Sequence, residues 1–169
     1  MKKLFFLVIL TVFASVLLSC GTRIKDPLFY QSKDFDCKMD VSFENGSFSL
    51  DCAKENGSLT LFFTSPERLA GVSLISDKEG DRMIFDGLSI PQESGNFLLG
   101  AVKKAFSLSE DDISKAVTGR RSGTDLNALR FGSGATLYLL SGSSYPARIE
   151  GNIEGKNFTI DITDFEIKN

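Results

Sequence analysis

The residues best placed to do chemistry in this sequence are Cys37 and Cys52. Each stands in a run that alternates apolar and polar side chains, and the two runs flank Asn45-Gly46. Alternation around Asn-Gly is a hairpin signal, and it puts both thiols on one face. A disulfide closing that loop of ~15 residues would add roughly 3 kcal/mol in the chain-entropy model. A two-residue Asn45-Gly46 turn, however, pairs Met39 with Cys52 and Cys37 with Lys54. The cysteines then sit diagonally at about 7 to 8 Å, beyond easy disulfide reach. This register favours two buried thiols; a bulge or a longer turn would restore the bridge.

The chain has no histidine. The usual general base, zinc ligand and pH switch are therefore missing together, which argues against a hydrolase or a metalloenzyme. No metal site, no cofactor and no enzymatic activity are expected. Glu110-Asp111-Asp112 reads as the favourable acidic first turn of a helix rather than a catalytic or calcium cluster. Arg120-Arg121 reads as a solvated pair ending that helix rather than a phosphate or headgroup grip. Gly132-Ser133-Gly134 lacks the strand-to-helix setting of a phosphate loop and reads as a hairpin turn.

The first twenty residues carry a different kind of chemistry. Lys2 and Lys3 precede an uncharged stretch from Leu4 to Leu18, followed by small Ser19 and then Cys20. These are the parts of a secretory signal, too short to span a bilayer. Leu17-Leu18-Ser19-Cys20 resembles the lipobox of bacterial lipoproteins, which implies a cleaved signal over 1–19 and a diacylglyceryl or palmitate-type anchor on Cys20. The chain is then expected on the outer face of the bacterial cell membrane, with 20–33 as a tether and 34–169 as the domain. Net charge is −3, or −5 once Lys2 and Lys3 leave, and the charges are scattered. That pattern gives no footprint for nucleic acid. A monomer is expected.

The elements that must position these residues follow from periodicity. Strands are expected at Phe35–Phe43, Phe48–Cys52, Ser58–Thr64, Gly71–Ser76, Asp81–Phe85 and Gly87–Ile90. Ser65 caps a helical turn that begins at Pro66. Apolar residues at helical spacing place an amphipathic helix over 96–107, and Ser109 with Asp112 resembles a capping box opening a second helix to Gly119. Four strands then run at Asn127–Phe131, Ala135–Leu140, Ala147–Asn152 and Asn157–Ile167. Phe165 and Ile167 break the parity of Phe158, Ile160 and Ile162, so a bulge is expected near Thr163-Asp164. The fold class is α+β: a single strongly curved antiparallel sheet, an open half-barrel, covering two or three short helices.

Leu59–Val72, with its spacing of Pro66, Leu69 and Gly71, then Ile84–Leu88 and a helix, resembles uncharacterised lipoproteins of Gram-positive bacteria whose fold is LolA-like. Tyr145–Ile149 followed by Phe158–Ile167 is similar to the closing hairpin of that fold. The resemblance implies an apolar cavity able to shelter acyl chains, as in the lipoprotein-localisation factors LolA and LolB. Cys20 makes this chain anchored, as LolB is, and Leu88-Ser89-Ile90-Pro91 stands in for the exposed apolar loop of LolB. Met39, Phe43, Phe48, Leu61, Phe63, Met83, Phe85, Phe97 and Phe106 are the candidates to line the cavity. Two readings stay open. The first is a non-catalytic module binding a lipophilic ligand such as a lipoprotein acyl chain. The second is a structural or protein-interaction lipoprotein of the cell envelope with a fully packed core.

Overall fold

Alternating side chains commit this chain to a sheet with one dry face and one wet one. The computed structural model describes residues 29–44, 46–92, 97–107, 117–130, 134–153 and 155–168, and in it eleven strands form one antiparallel sheet. Strands β1 (Phe35–Phe43), β2 (Gly46–Glu55), β3 (Ser58–Ser65), β4 (Ser73–Asp77), β5 (Gly80–Phe85) and β6 (Leu88–Pro91) meander outward. Helix α1 (Phe97–Phe106) follows. A second meander comprises β7 (Val117–Arg120), β8 (Leu126–Arg130), β9 (Thr136–Leu140), β10 (Pro146–Ile153) and β11 (Lys156–Ile167). The spatial order is β6-β5-β4-β3-β2-β1-β11-β10-β9-β8-β7, so the two arms meet where β1 pairs with β11. The order does not close on itself, and the sheet is open.

Curvature follows from what the helix reaches. Eleven strands spaced about 4.8 Å apart would be nearly 50 Å wide if flat. A ten-residue helix is about 15 Å long. Yet Leu98, Leu99, Val102 and Phe106 of α1 share one buried cluster with Leu74 of β4 and Leu137 of β9. Only a curled sheet brings both arms to one short helix.

The end of the core near Phe35 is plugged by aromatic rings. Tyr30 is fully buried and meets Phe106 edge-on at 5.9 Å, while Phe35 lies 4.9 Å from Phe106 and 4.8 Å from Phe165. Tyr30 also donates to the Ala105 carbonyl at 3.3 Å, so its hydroxyl is satisfied, and burial raises its pKa. The folded unit therefore begins by Phe29, inside the stretch expected as tether: Phe29–Ser32 forms a 3-10 turn that closes the core. On β10, Gly151 pairs with Phe158, whose ring lies over the glycine; a Cβ there would come within 2.6 Å of the ring.

The bulge expected near Thr163-Asp164 is present. Asp36 faces Glu166 and Lys38 faces Thr163, so β11 carries one extra residue, with Asp164 at φ 51°. That residue turns Phe165 back to the core.

Three expectations are corrected. One α-helix is found among the described residues rather than two or three, joined by 3-10 turns at Phe29–Ser32 and Glu67–Leu69. The second helix expected over 109–119 ends in strand β7, where Val117 pairs with Arg130 of β8; residues 109–116, with Glu110, Asp111 and Asp112, lie outside the described residues. Val117 and Thr118 are β-branched and Gly119 is a poor helix former, so pairing with β8 wins over helix at 117–119. At the third, Pro66 rather than Ser65 holds the cap position of the 67–69 turn, with no side-chain hydrogen bond.

Candidate functional site: an apolar face open at one edge

Strand register converts the sequence into rows of side chains that cross the concave face. Cys52 faces Leu61, Leu61 faces Leu74, Leu74 faces Met83 and Met83 faces Ile90. Along this row exposure is at most 1% for the first three residues, intermediate at Met83 and 43% at Ile90. The neighbouring row starts dry at Leu50 and Phe63, passes Val72, whose carbonyl accepts from the Phe63 N–H at 2.9 Å, and ends at Phe85 and Leu88. Those last two are 48% and 66% exposed. The concave face is thus packed at its centre and bare on the β5–β6 hairpin. Three large apolar side chains on one face of one hairpin therefore stand exposed together.

The nine candidate cavity residues divide along this gradient. Met39, Leu61, Phe63 and Phe106 are buried in the central cluster. Phe43, Phe48 and Met83 are half-buried against it, with the Phe48 ring tilted against Phe43 at 5.7 Å and Phe63 at 5.2 Å. Phe85 is exposed on the open hairpin. Phe97 is the first residue of α1, and its side chain lies outside the described residues. Leu88 and Ile90, expected within an extended piece at Gly87–Ile90, lie in strand β6 at the sheet edge.

A polar row borders the patch. Lys54, Leu59, Ser76 and Asp81 lie in register, and Ser76 Oγ donates to Asp81 Oδ1 at 2.7 Å. Lys103 of α1 reaches the same carboxylate at 2.8 Å, which ties the helix to β5. These hydrogen bonds, from Lys103 first and Ser76 second, hold the Asp81 carboxyl below its usual range against the opposing effect of burial.

The convex face is charged and largely self-paired. Arg121 donates to Glu150 at 2.7 Å and stacks over the Tyr138 ring, and Tyr138 donates to Glu150 at 2.8 Å. Burial pushes the Glu150 carboxyl up, but those two hydrogen bonds outweigh it and the net direction is down. Arg148 binds Asp161 at 2.5 Å and Arg120 binds Asp125 at 3.0 Å. Arg120 and Arg121 therefore stand at the end of β7 engaged with carboxylates, and they do not terminate a helix as expected. Gly134 precedes β9, which pairs with β8 as the expected hairpin.

Cys37 and Cys52 face each other directly. Phe43 pairs with Gly46 and Met39 with Leu50, two places from the register expected for an Asn45-Gly46 turn. Both cysteines are buried and carry free thiols.

No family model and no curated protein matches the sequence. Solved structures resemble its fold. A LolA superfamily protein from Nitrosomonas europaea is 12% identical over 92% of this chain and 94% of its own, with a TM-score of 0.45. The MucA/MucB complex of Pseudomonas aeruginosa gives 12% identity and a TM-score of 0.50 over 85% of this chain. This chain spans 56% of that protein. At these identities the likeness concerns the fold alone, an open antiparallel sheet over a helix.

Proposed function

We propose that this chain is a non-catalytic lipoprotein, held on the outer face of the bacterial cell membrane by a lipidated Cys20, whose concave face takes a lipophilic ligand at the β5–β6 edge. The observation that carries the ligand is the run of apolar rows from a dry centre to the bare side chains of Phe85, Leu88 and Ile90. Because the centre is filled by Leu61, Leu74 and Phe63, the ligand lies along the edge hairpin and reaches inward to Met83 and Phe48. An acyl chain suits such a row. It carries no polar group that needs a partner, and each methylene removed from water contributes about 0.8 kcal/mol.

Lipid retained by the purified full chain is detected by native mass spectrometry, and affinity is measured with a fluorescent fatty acid. Ile90→Asp combined with Leu88→Asp is expected to weaken binding at least tenfold. Unchanged affinity would move the seat elsewhere, and no binding by the unaltered chain would remove the lipid altogether. The anchor is tested separately by metabolic labelling with an alkyne fatty acid: Cys20→Ala should abolish the label.

A protein partner is the second reading. It is favoured by β6, a four-residue edge strand with exposed apolar side chains, and MucB, of similar fold, has been solved in complex with MucA. Capture of a defined polypeptide that Leu88→Asp abolishes, by a chain that holds no lipid, would select it.

A further inference from the structure

Cys37 and Cys52 are a built cross-link site. Directly opposed residues of antiparallel strands have Cα atoms about 4.5 to 5.5 Å apart, within the span a disulfide bridges. The register brings these two into direct opposition, and each is at most 4% exposed. Both side chains lie in the same core cluster as Leu50, Leu61 and Met39. Neither thiol contributes to the ligand edge or to the polar row beside it.

We propose that Cys37 and Cys52 form an intramolecular disulfide that staples β1 to β2 when the chain folds under oxidising conditions. The oxidant is a soluble or protein disulfide, R–S–S–R. One cysteine, as thiolate, attacks it, expelling RS⁻ and leaving a mixed disulfide. The second thiolate then attacks the protein sulfur of that mixed disulfide, expelling another RS⁻. The protein loses two thiol protons and two electrons, and the oxidant becomes two RSH.

The timing is set by the packing. In the folded chain the hydrogen bond from Cys37 and then burial push the Cys52 thiol well above the ordinary thiol range. A buried protonated thiol is a poor nucleophile, and side chains exposed by at most 4% are poorly reached by an oxidant. The exchange therefore belongs to the interval when the β1–β2 hairpin has formed and α1 has not yet covered it. Once covered, the bridge is shielded from reductants for the same reason.

The experiment refolds the full chain from denaturant in a glutathione redox buffer, blocks free thiols by alkylation, and digests with trypsin. The expected product is residues 34–38 joined to residues 39–54 by one disulfide. Bridging a loop of this size should raise the folding equilibrium constant on the order of a hundredfold over protein kept in dithiothreitol. The Cys37→Ala, Cys52→Ala double variant should unfold at the same denaturant concentration with and without reductant. Alkylation of both residues after oxidative refolding would overturn the proposal, as would stable mixed disulfides with glutathione or a bridge from either residue to Cys20. None of these outcomes depends on lipid binding or on the membrane anchor.

Discussion

Strands β1 and β5 are written in the same code and end in different environments. In β1, Phe35, Cys37, Met39 and Val41 alternate with polar residues and all four are buried. In β5 and β6, Met83 faces Ile90 and Phe85 faces Leu88, again apolar side chains two residues apart on one face, yet no residue of either strand is buried. The difference is what lies above the face. Helix α1 and the second arm of the sheet cover β1, whereas Asp81 marks the last polar contact that α1 makes toward the edge. Alternation thus specifies which way side chains point, and coverage decides whether that direction is inside.

The comparison breaks most visibly under truncation of an apolar side chain. Leu61→Ala, at 0% exposure, should cost about 3 kcal/mol in urea unfolding. Ile90→Ala, at the far end of the same row, should stay within about 0.5 kcal/mol. Equal losses would mean that the edge is as well packed as the centre. A smaller effect is expected at Gly151→Ala. The added methyl collides with the Phe158 ring, which is itself buried, and overpacking of this kind costs about 1 to 3 kcal/mol. Phe158→Leu in the same chain should recover part of that loss, a non-additivity that a double-mutant cycle reads directly.

The mildest test concerns the contact between α1 and β5. The Asp81 carboxyl is depressed in the folded state, so its contribution is complete above its ordinary pKa and is lost as pH falls through the folded value. Acidification below about pH 4 should therefore loosen α1 from β5 slightly, and Lys103→Met should return the Asp81 titration, followed by NMR, toward the usual carboxylate range. An unmoved Asp81 would show that Lys103 does not hold it.

Much of this architecture was legible in the residues. The bulge at Asp164 follows from the parity of Phe165 alone, and the strand positions follow from alternation. The register of the first hairpin did not follow, for a geometric reason. The expected and observed pairings differ by a step that keeps every side chain on its own face, so the apolar pattern fits both equally well. Asn45-Gly46 was the local tie-breaker, and it pointed the wrong way. The helical reading of Val117 to Gly119 failed similarly, because strand pairing to β8 is invisible from a short window. At the site, Leu88 and Ile90 were noticed as exposed apolar residues, but their place beside Met83 and Phe85 is a matter of register across distant strands. Phe85 looked like a core residue because sequence carries no record of where a ten-residue helix runs out.

The seam between β1 and β11 has a consequence for how the protein is made. Lys38 and Asp164 meet across it although 126 residues separate them, and the Lys168 N–H closes on the Asp34 carbonyl at 2.9 Å. Each arm is a local meander that can assemble as it emerges, but the arms are stitched together, strand to strand, by β11, which is synthesised after every other strand of the sheet. Until that segment arrives, β1 is an unprotected edge rather than the centre of a sheet. A chain that stops a dozen residues short would hold nearly all of its core side chains and still lack its keystone.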